Sequence, residues 1–188
     1  MRKFLPLLLL AVIPALQGCF PVVATGVGAG ALMAADRRTS GAYIEDQAII
    51  LKATRRLDEK FNDTVHVTVN SYNRNVLLTG QTPSEALKKE AEQLVRSVSN
   101  VASVLNEITI GPLTPFSSHS NDTYITSKVK GRMIDANKFP IQHVKVVTEN
   151  SVVYLLGIVT RQVADDAVEI ARTTSDVKKV VKVFEYEN

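Results

Sequence analysis

The sequence predicts an α+β protein of two tandem αββαβ units, each with a three-stranded mixed sheet and two helices on one face. The first observation is an internal repeat, because residues 46–110 and 122–186 carry one residue pattern twice. The second is that amphipathic helical periodicity alternates with short β-branched runs in each copy. The third is a proline- and serine-containing segment between the copies, which is typical of a linker. Together they indicate two copies of one small folding unit.

The two copies align along their whole length, with one residue gained and one lost on the way. Paired glycines and paired strand residues make a chance match untenable. The matched pairs are Asp46 with Asp122, Ile49 with Ile125, Lys52 with Lys128, Ala53 with Val129, Val67 with Val144, Val69 with Val146, Val76 with Val153, Leu78 with Leu155, Gly80 with Gly157, Ala91 with Ala167, Arg96 with Arg172, Ser99 with Ser175, Val101 with Val177 and Val104 with Val180.

Each copy begins with an amphipathic helix whose apolar residues recur at every fourth position. Ser120 or Asp122 is predicted to cap the first helix of the second copy. A second helix is expected after Pro83 in the first copy and near Arg161 in the second. The helix stripes are Ile49, Ala53 and Leu57, then Ile125, Val129 and Met133. The predicted strands are 65–70, 75–79 and 104–110, then 144–148, 152–156 and 180–186, with turns at Asn73 and Asn150.

The N-terminus has the layout of a secretory signal, with a positive start followed by an apolar stretch too short for a permanent membrane span. Residues 16–19, Leu-Gln-Gly-Cys, resemble a bacterial lipobox, in which the cysteine is diacylated and becomes the mature N-terminus. We therefore predict a signal peptide over 1–18 and a lipid anchor at Cys19, the only cysteine in the chain. The alternative is a chance cysteine after an ordinary cleavage site.

The predicted lipid anchor has consequences for the chemistry of the chain and for its location. Lipidation of Cys19 removes the only thiol from disulfide, metal or nucleophilic chemistry. Phe20 follows where aspartate would retain a Gram-negative lipoprotein at the inner membrane, so the similarity to such lipoproteins implies the outer membrane, facing the periplasm. The predicted order is an acylated N-terminus and flexible tether at 19–43, a first domain at 44–111, a linker at 112–119 and a second domain at 120–188.

The sequence contains no residue pattern that predicts a catalytic site or a metal site. His66 and His143 occupy one place in the two copies and are predicted to be copied structure, whereas His119 lies in the linker. Asp165 and Asp166 suit the start of a helix. The formal net charge of +3 includes two cations of the signal peptide and gives no polybasic character for nucleic acid. We predict a protein that is not an enzyme, with no metal, cofactor, nucleic acid or small-molecule substrate.

The order of elements resembles the BON domain (bacterial OsmY and nodulation). The resemblance rests on this order, on a glycine that closes the second strand and on a Val-x-x-Val approach to the third. A lipobox followed by two such copies is similar to dual BON-domain outer-membrane lipoproteins across nearly the whole mature chain. Residues 120–123, Ser-Asn-Asp-Thr, also match, although Tyr124 stands where the family has tryptophan. The resemblance implies binding of phosphatidylglycerol or cardiolipin by the first helix of the second copy, support of envelope integrity and enrichment at the division site.

That helix carries the candidate lipid-contact residues. Its apolar stripe should face the sheet, which leaves an aromatic ring and cations on the other side, a mixture typical of a headgroup boundary. A glycine there would let a headgroup approach the backbone. The predicted phospholipid-binding residues are Tyr124, Ser127, Lys128, Gly131, Arg132, Ile134 and Asp135.

The first copy differs on this face, because its counterparts of Tyr124, Ser127, Gly131 and Arg132 are Ala48, Leu51, Arg55 and Arg56. We therefore expect the second copy to contact lipid and the first to serve as a scaffold packed against it. Two alternatives stay open. The cations could be an ordinary solvated face with Tyr124 packed under the linker or against the other copy. The protein could also be an adaptor that docks envelope-assembly or cell-division proteins through this helix or a sheet face.

Overall fold

The computed structural model describes residues 36–112 and 116–187, without the side chains of Asp63 and of residues 116–118. Both copies, domain 1 and domain 2, belong to one compact unit. The predicted signal peptide, the Cys19 anchor and the tether as far as residue 35 lie outside the described residues.

The described elements confirm the αββαβ order in both domains. Domain 1 contains α1 (Ser40–Phe61), a 3-10 turn (Asn62–Thr64), β1 (His66–Tyr72), β2 (Asn75–Thr82), α2 (Glu85–Arg96), β3 (Ser103–Asn106) and β4 (Thr109–Ile110). Domain 2 contains α3 (Phe116–Ala136), a 3-10 turn (Ile141–His143), β5 (Lys145–Glu149), β6 (Val152–Val159), α4 (Arg161–Arg172) and β7 (Lys179–Tyr186).

Each sheet is mixed, as predicted, and is built around its second strand. In domain 1, β2 pairs antiparallel with β1 and parallel with β3 and β4. In domain 2, β6 pairs antiparallel with β5 and parallel with β7. The last strand of domain 1, predicted as continuous over 104–110, is interrupted. Ile108 leaves the ladder to bury its side chain in the core, and its N–H bonds the Asn106 side-chain oxygen at 3.2 Å.

The two helices of each domain pack on one face of its sheet. The predicted stripes of α1 and α3 are buried there, with Ile49, Ala53, Ile125 and Val129 fully enclosed. Alternate residues of β2 and β6 face these helices and complete one apolar core per domain. The fold class and the helix faces therefore follow from the hydrophobic periodicity.

Asp46 and Asp122, the first residues of the repeat match, are buried and hold the tips of the strand hairpins. Each carboxylate accepts two backbone N–H groups of the turn between the first two strands, at 2.7 Å in domain 1 and 2.8 Å in domain 2. These turns fall at the predicted Asn73 and Asn150, whose φ angles are 50° and 51°. The predicted cap by Asp122 is wrong, because its carboxylate serves the hairpin rather than the start of its own helix.

Both first helices begin earlier than the sequence predicts. α1 starts at Ser40, within the predicted tether, because the Thr39 hydroxyl accepts the Ala42 N–H and caps the helix. Arg38 holds this start in place: it donates to Asp46 at 2.7 Å and lies 4.1 Å above the ring of Tyr72. α3 starts at Phe116, so the segment predicted as a linker over 112–119, including His119, is partly helical, and Ser120 lies inside the helix rather than capping it.

The repeated glycines and histidines have one shared role. A Cβ on Gly80 would lie 2.0 Å from the carbonyl oxygen of His66, and one on Gly157 would lie 2.3 Å from that of His143. The backbone at the start of the first strand in domain 1, and in the 3-10 turn before it in domain 2, therefore approaches too closely for any side chain. Each of the two repeated histidines therefore contacts the glycine of its own copy through its backbone carbonyl group.

The helix-free faces of the two sheets pack against each other, which gives the layers helix, sheet, sheet and helix. Leu77 and Tyr72 of domain 1 meet Tyr154 and Leu156 of domain 2, and all four are buried. This seam has a polar end, where the side-chain amide of Gln81 donates to Glu149 at 2.9 Å.

Lys145, the first residue of β5, lies at the seam away from Gln81 and Glu149. Its ammonium group donates to the Ser71 carbonyl oxygen at 3.4 Å. Burial lowers the pKa of Lys145 to about 8, and the positive charge of nearby Arg38 acts in the same direction. The domain seam therefore contains a lysine whose pKa is held well below its usual value.

Candidate functional site

α3 separates its residues as the helical periodicity predicts. Ile125, Val129 and Met133 are in the core, and the predicted contact residues lie on the other side of the helix. Tyr124 and Ile134 are 58% and 59% exposed on the outer side of the helix. The interpretation that Tyr124 packs under the linker or against domain 1 does not fit this exposure.

Lys128 lies between Tyr124 and the loop that follows α4. Its ammonium nitrogen is 5.0 Å from the centre of the Tyr124 ring, within the range of a cation–π contact. The same group donates to the carboxylate of Asp176 at 2.9 Å and contacts the hydroxyl of Ser175. The cation predicted to meet lipid phosphate is therefore paired within the protein.

Arg132 is also engaged, at the C-terminal end of α4. Its guanidinium donates to the Ile170 carbonyl oxygen at 3.0 Å and to the hydroxyls of Thr174 and Thr173 at 2.8 and 3.1 Å. Its counterpart in domain 1, Arg56, makes the same contact with Ser97 at 3.0 Å. An arginine that binds the last turn of the neighbouring helix is thus a feature of both copies, and the domain-2 residue supports the fold.

The other predicted residues complete the exposed face of α3. The Ser127 hydroxyl donates to the Thr123 carbonyl oxygen at 2.9 Å, within the helix. A Cβ on Gly131 would meet no atom within 4 Å, so this position is open to solvent. Asp135 is exposed and adds a negative charge to the face. The structure brings all seven predicted residues onto one side of one helix.

Sequence reasoning missed two charged residues near this face. Lys130 is exposed and has no ion-pair partner among the described residues. It lines a groove of about 440 Å³ between α3 and domain 1, whose wall is rich in threonine hydroxyls. Asp176 was missed as well, although the repeat match marks it: its neighbour Ser175 aligns with Ser99, while Asp176 aligns with Asn100.

Helix α1 presents a different surface at the equivalent place. Ala48 stands at the position of Tyr124, so the aromatic ring is absent, as the sequence predicts. The face is nevertheless partly apolar, since Ile44 and Leu51 are 64% and 71% exposed. The two domains therefore differ in the chemistry of their outer helices rather than in their fold.

Within the described residues, the histidines do not assemble a metal site. His66 and His119 are neighbours, with ring centres 5.0 Å apart, but no group of three or more potential protein ligands converges in this part of the chain. Over the same residues, no helix combines the length and apolar character needed to cross a bilayer.

Comparison with known proteins identifies the repeated unit. The BON domain model matches residues 46–112 and 121–188. The chain is 39% identical to the outer membrane lipoprotein DolP of Haemophilus influenzae, over 91% of this chain and 90% of that protein. It is 31% identical to the 21 kDa hemolysin of Actinobacillus pleuropneumoniae, over 80% and 79%, and 29% identical to the osmotically-inducible protein Y of Escherichia coli, over 83% and 80%. Both halves of the compact unit thus match one model, and the chain belongs to the BON domain family.

Proposed function

We propose that this protein is a lipid-anchored, periplasm-facing lipoprotein of the outer membrane that binds anionic phospholipid through α3 of domain 2. The observation that carries the proposal is the pairing of two exposed apolar side chains, Tyr124 and Ile134, with a lysine ammonium beside the tyrosine ring. The protein is proposed as a binding protein and not as an enzyme.

The geometry of the helix suits shallow insertion at a headgroup boundary. Tyr124 and Ile134 are ten residues apart, which corresponds to about 15 Å along the helix axis. A helix lying flat on the bilayer would place both side chains in the acyl boundary, while Lys128 and Lys130 remain at the level of the phosphates. Gly131 lies between them and leaves the backbone accessible. Ser127 and Asp135 border the same contact.

Membrane residence comes from acylated Cys19 in this proposal. Lipidation with more than one chain anchors firmly, since each buried CH₂ contributes about 0.8 kcal/mol. The tether then raises the effective concentration of α3 at the bilayer, so even a weak headgroup contact selects among lipid patches. The similarity to an outer membrane lipoprotein of Haemophilus influenzae supports this location. We further propose phosphatidylglycerol or cardiolipin as the lipid, with roles in envelope integrity and at the division site.

The test is a titration of the chain without residues 1–19, which keeps the whole compact unit, with lipid vesicles. Backbone NMR shifts are recorded with vesicles of phosphatidylcholine alone and with equimolar phosphatidylcholine and phosphatidylglycerol. The expected result is charge-dependent shifts confined to residues 122–135. Absence of binding to both vesicle types would sink the proposal.

A second candidate function is that of an adaptor for envelope-assembly or cell-division proteins. The variant in which a sheet face docks the partner is contradicted, because the helix-free faces of both sheets are buried against each other. The exposed Ile44 and Leu51 of α1 favour a docking surface on domain 1 instead. Retained capture of an envelope protein by a chain that fails to bind vesicles would favour this function.

A further inference from the structure

The loop after α4 supplies a carboxylate to the face that we propose contacts lipid. Asp176 Oδ2 lies 2.9 Å from the ammonium nitrogen of Lys128, and the Asp176 side chain is 56% exposed. Lys128 itself is 26% exposed and lies between this carboxylate and the Tyr124 ring. A lipid phosphate that approaches Lys128 therefore meets a cation that already has an anionic partner.

Domain 1 lacks this pair. Asn100 stands at the position of Asp176, and Lys52 stands at that of Lys128. The Asn100 amide donates to Glu45 at 2.9 Å, and Lys52 is exposed without an ion-pair partner in the part of the chain that the structure describes. The carboxylate is thus specific to the domain that also carries the exposed tyrosine.

The backbone at this position gives no reason for an aspartate. Asp176 has φ 73° and Asn100 has φ 69°, so both are in the left-handed region at the turn after a helix. Asparagine and aspartate are both enriched among the non-glycine residues that adopt this conformation. The turn therefore accommodates either residue in both domains, and the two domains differ in what the side chain at this position contacts.

We infer that Asp176 is an internal counter-ion that competes with lipid phosphate for Lys128 and so sets how much anionic lipid is needed for binding. This inference rests on the proposed lipid contact of α3. Exposure lets the Asp176 side chain turn away when a phosphate replaces it. A surface rich in anionic lipid supplies phosphates at high local density and displaces the carboxylate, whereas a surface poor in them does not. The selectivity of the face then depends on a residue outside α3.

The test compares variants of the chain without residues 1–19 on equimolar phosphatidylcholine and phosphatidylglycerol vesicles. Asp176→Asn keeps a residue suited to the left-handed turn and should tighten binding about two- to fivefold, the range expected from an exposed ion pair. It should also lower the fraction of phosphatidylglycerol at half-maximal binding. The gain should vanish in the Lys128→Gln background, because the competition has no target there.

Two matched controls separate this effect from charge alone. Asp135→Asn removes the same charge from the same face without freeing Lys128 and should tighten binding less than Asp176→Asn. Asn100→Asp places the carboxylate in domain 1 and should leave binding unchanged.

Unchanged or weaker binding of Asp176→Asn, with a wild type that does bind, overturns the counter-ion role and leaves the lipid contact standing. Equal gains from Asp135→Asn and Asp176→Asn also overturn it. If neither the wild type nor Asp176→Asn binds, the lipid contact itself is wrong, and the inference falls with it.

Discussion

Asp122, on α3, fixes the turn at Asn150, with its carboxylate 2.8 Å from the Asn150 backbone nitrogen. The other carboxylate oxygen accepts the next N–H, from Ser151, at the same distance. We expect Asp122→Ala to lower the free energy of unfolding by about 1.5–3 kcal/mol, because a charged acceptor is lost and two backbone donors are left unpaired. Urea unfolding measures this change. The control Asp135→Ala, at an exposed position, should change the free energy of unfolding little. If Asp122→Ala also leaves it unchanged, the turn forms without this carboxylate.

Substitution by alanine should have opposite effects on stability at Gly157 and at Gly131. Gly157→Ala places a Cβ 2.3 Å from the His143 carbonyl oxygen and should destabilise the fold by about 1–3 kcal/mol, as overpacking does. Gly131→Ala has open space around it and should stabilise the helix by about 0.5–1 kcal/mol. Thermal unfolding of the two variants gives the comparison. A tolerated Gly157→Ala would contradict the close backbone approach.

The proposed lipid contact predicts that Tyr124→Glu abolishes binding to phosphatidylglycerol vesicles. Because the side chain is 58% exposed, unfolding should shift by no more than about 0.5 kcal/mol. Leu51→Glu is the matched control, since it puts the same charge on an exposed apolar position of α1 and should leave vesicle binding intact. Vesicle co-sedimentation and urea unfolding measure the two quantities. A large loss of stability in Tyr124→Glu would place the ring in the core instead.

Lys145 predicts a pH dependence of stability at the domain seam. Its pKa is lowered by burial from 10.5 to about 8, so between these values the unfolded chain binds a proton that the folded chain does not. Stability therefore rises with pH through this window, and below it the cost of burying the charge is fully present. The difference in unfolding free energy, wild type minus Lys145→Met, should increase from neutral pH to pH 10.5. A flat difference would mean that the ammonium group is solvated.

Much of the fold was predictable because its determinants are local. The helix stripes, the turns at Asn73 and Asn150 and the mixed sheets follow from periodicity and turn residues. The start of α1 was missed although its Thr39 cap is a local signal, and the Arg38 contact with the Tyr72 ring, which helps to hold this start, joins segments distant in sequence. The roles of Asp46 and Asp122 were also hidden, since a buried carboxylate and a helix cap have the same sequence signature at a helix start.

The packing of the two sheets left a signal in the sequence. Seven of the eight residues of β6 are apolar in an unbroken run apart from Gly157, which is typical of a strand buried on both faces rather than on one. The ion pairing of the contact face was not predictable in the same way. Asp176 reaches Lys128 only because the turn after α4 folds back toward α3, and no periodicity within either helix reports that contact.

Because the two sheets stack face to face, the outer helices of the two domains lie on opposite sides of the molecule. α1 and α3 occupy the two outer layers, so a bilayer that touches Tyr124 has Ile44 and Leu51 pointing away from it. The copies therefore cannot add their affinities on one membrane, as two tethered lipid-binding modules otherwise would. Under the proposed lipid contact, duplication in this arrangement yields one surface that faces the bilayer and a second surface that faces away from it.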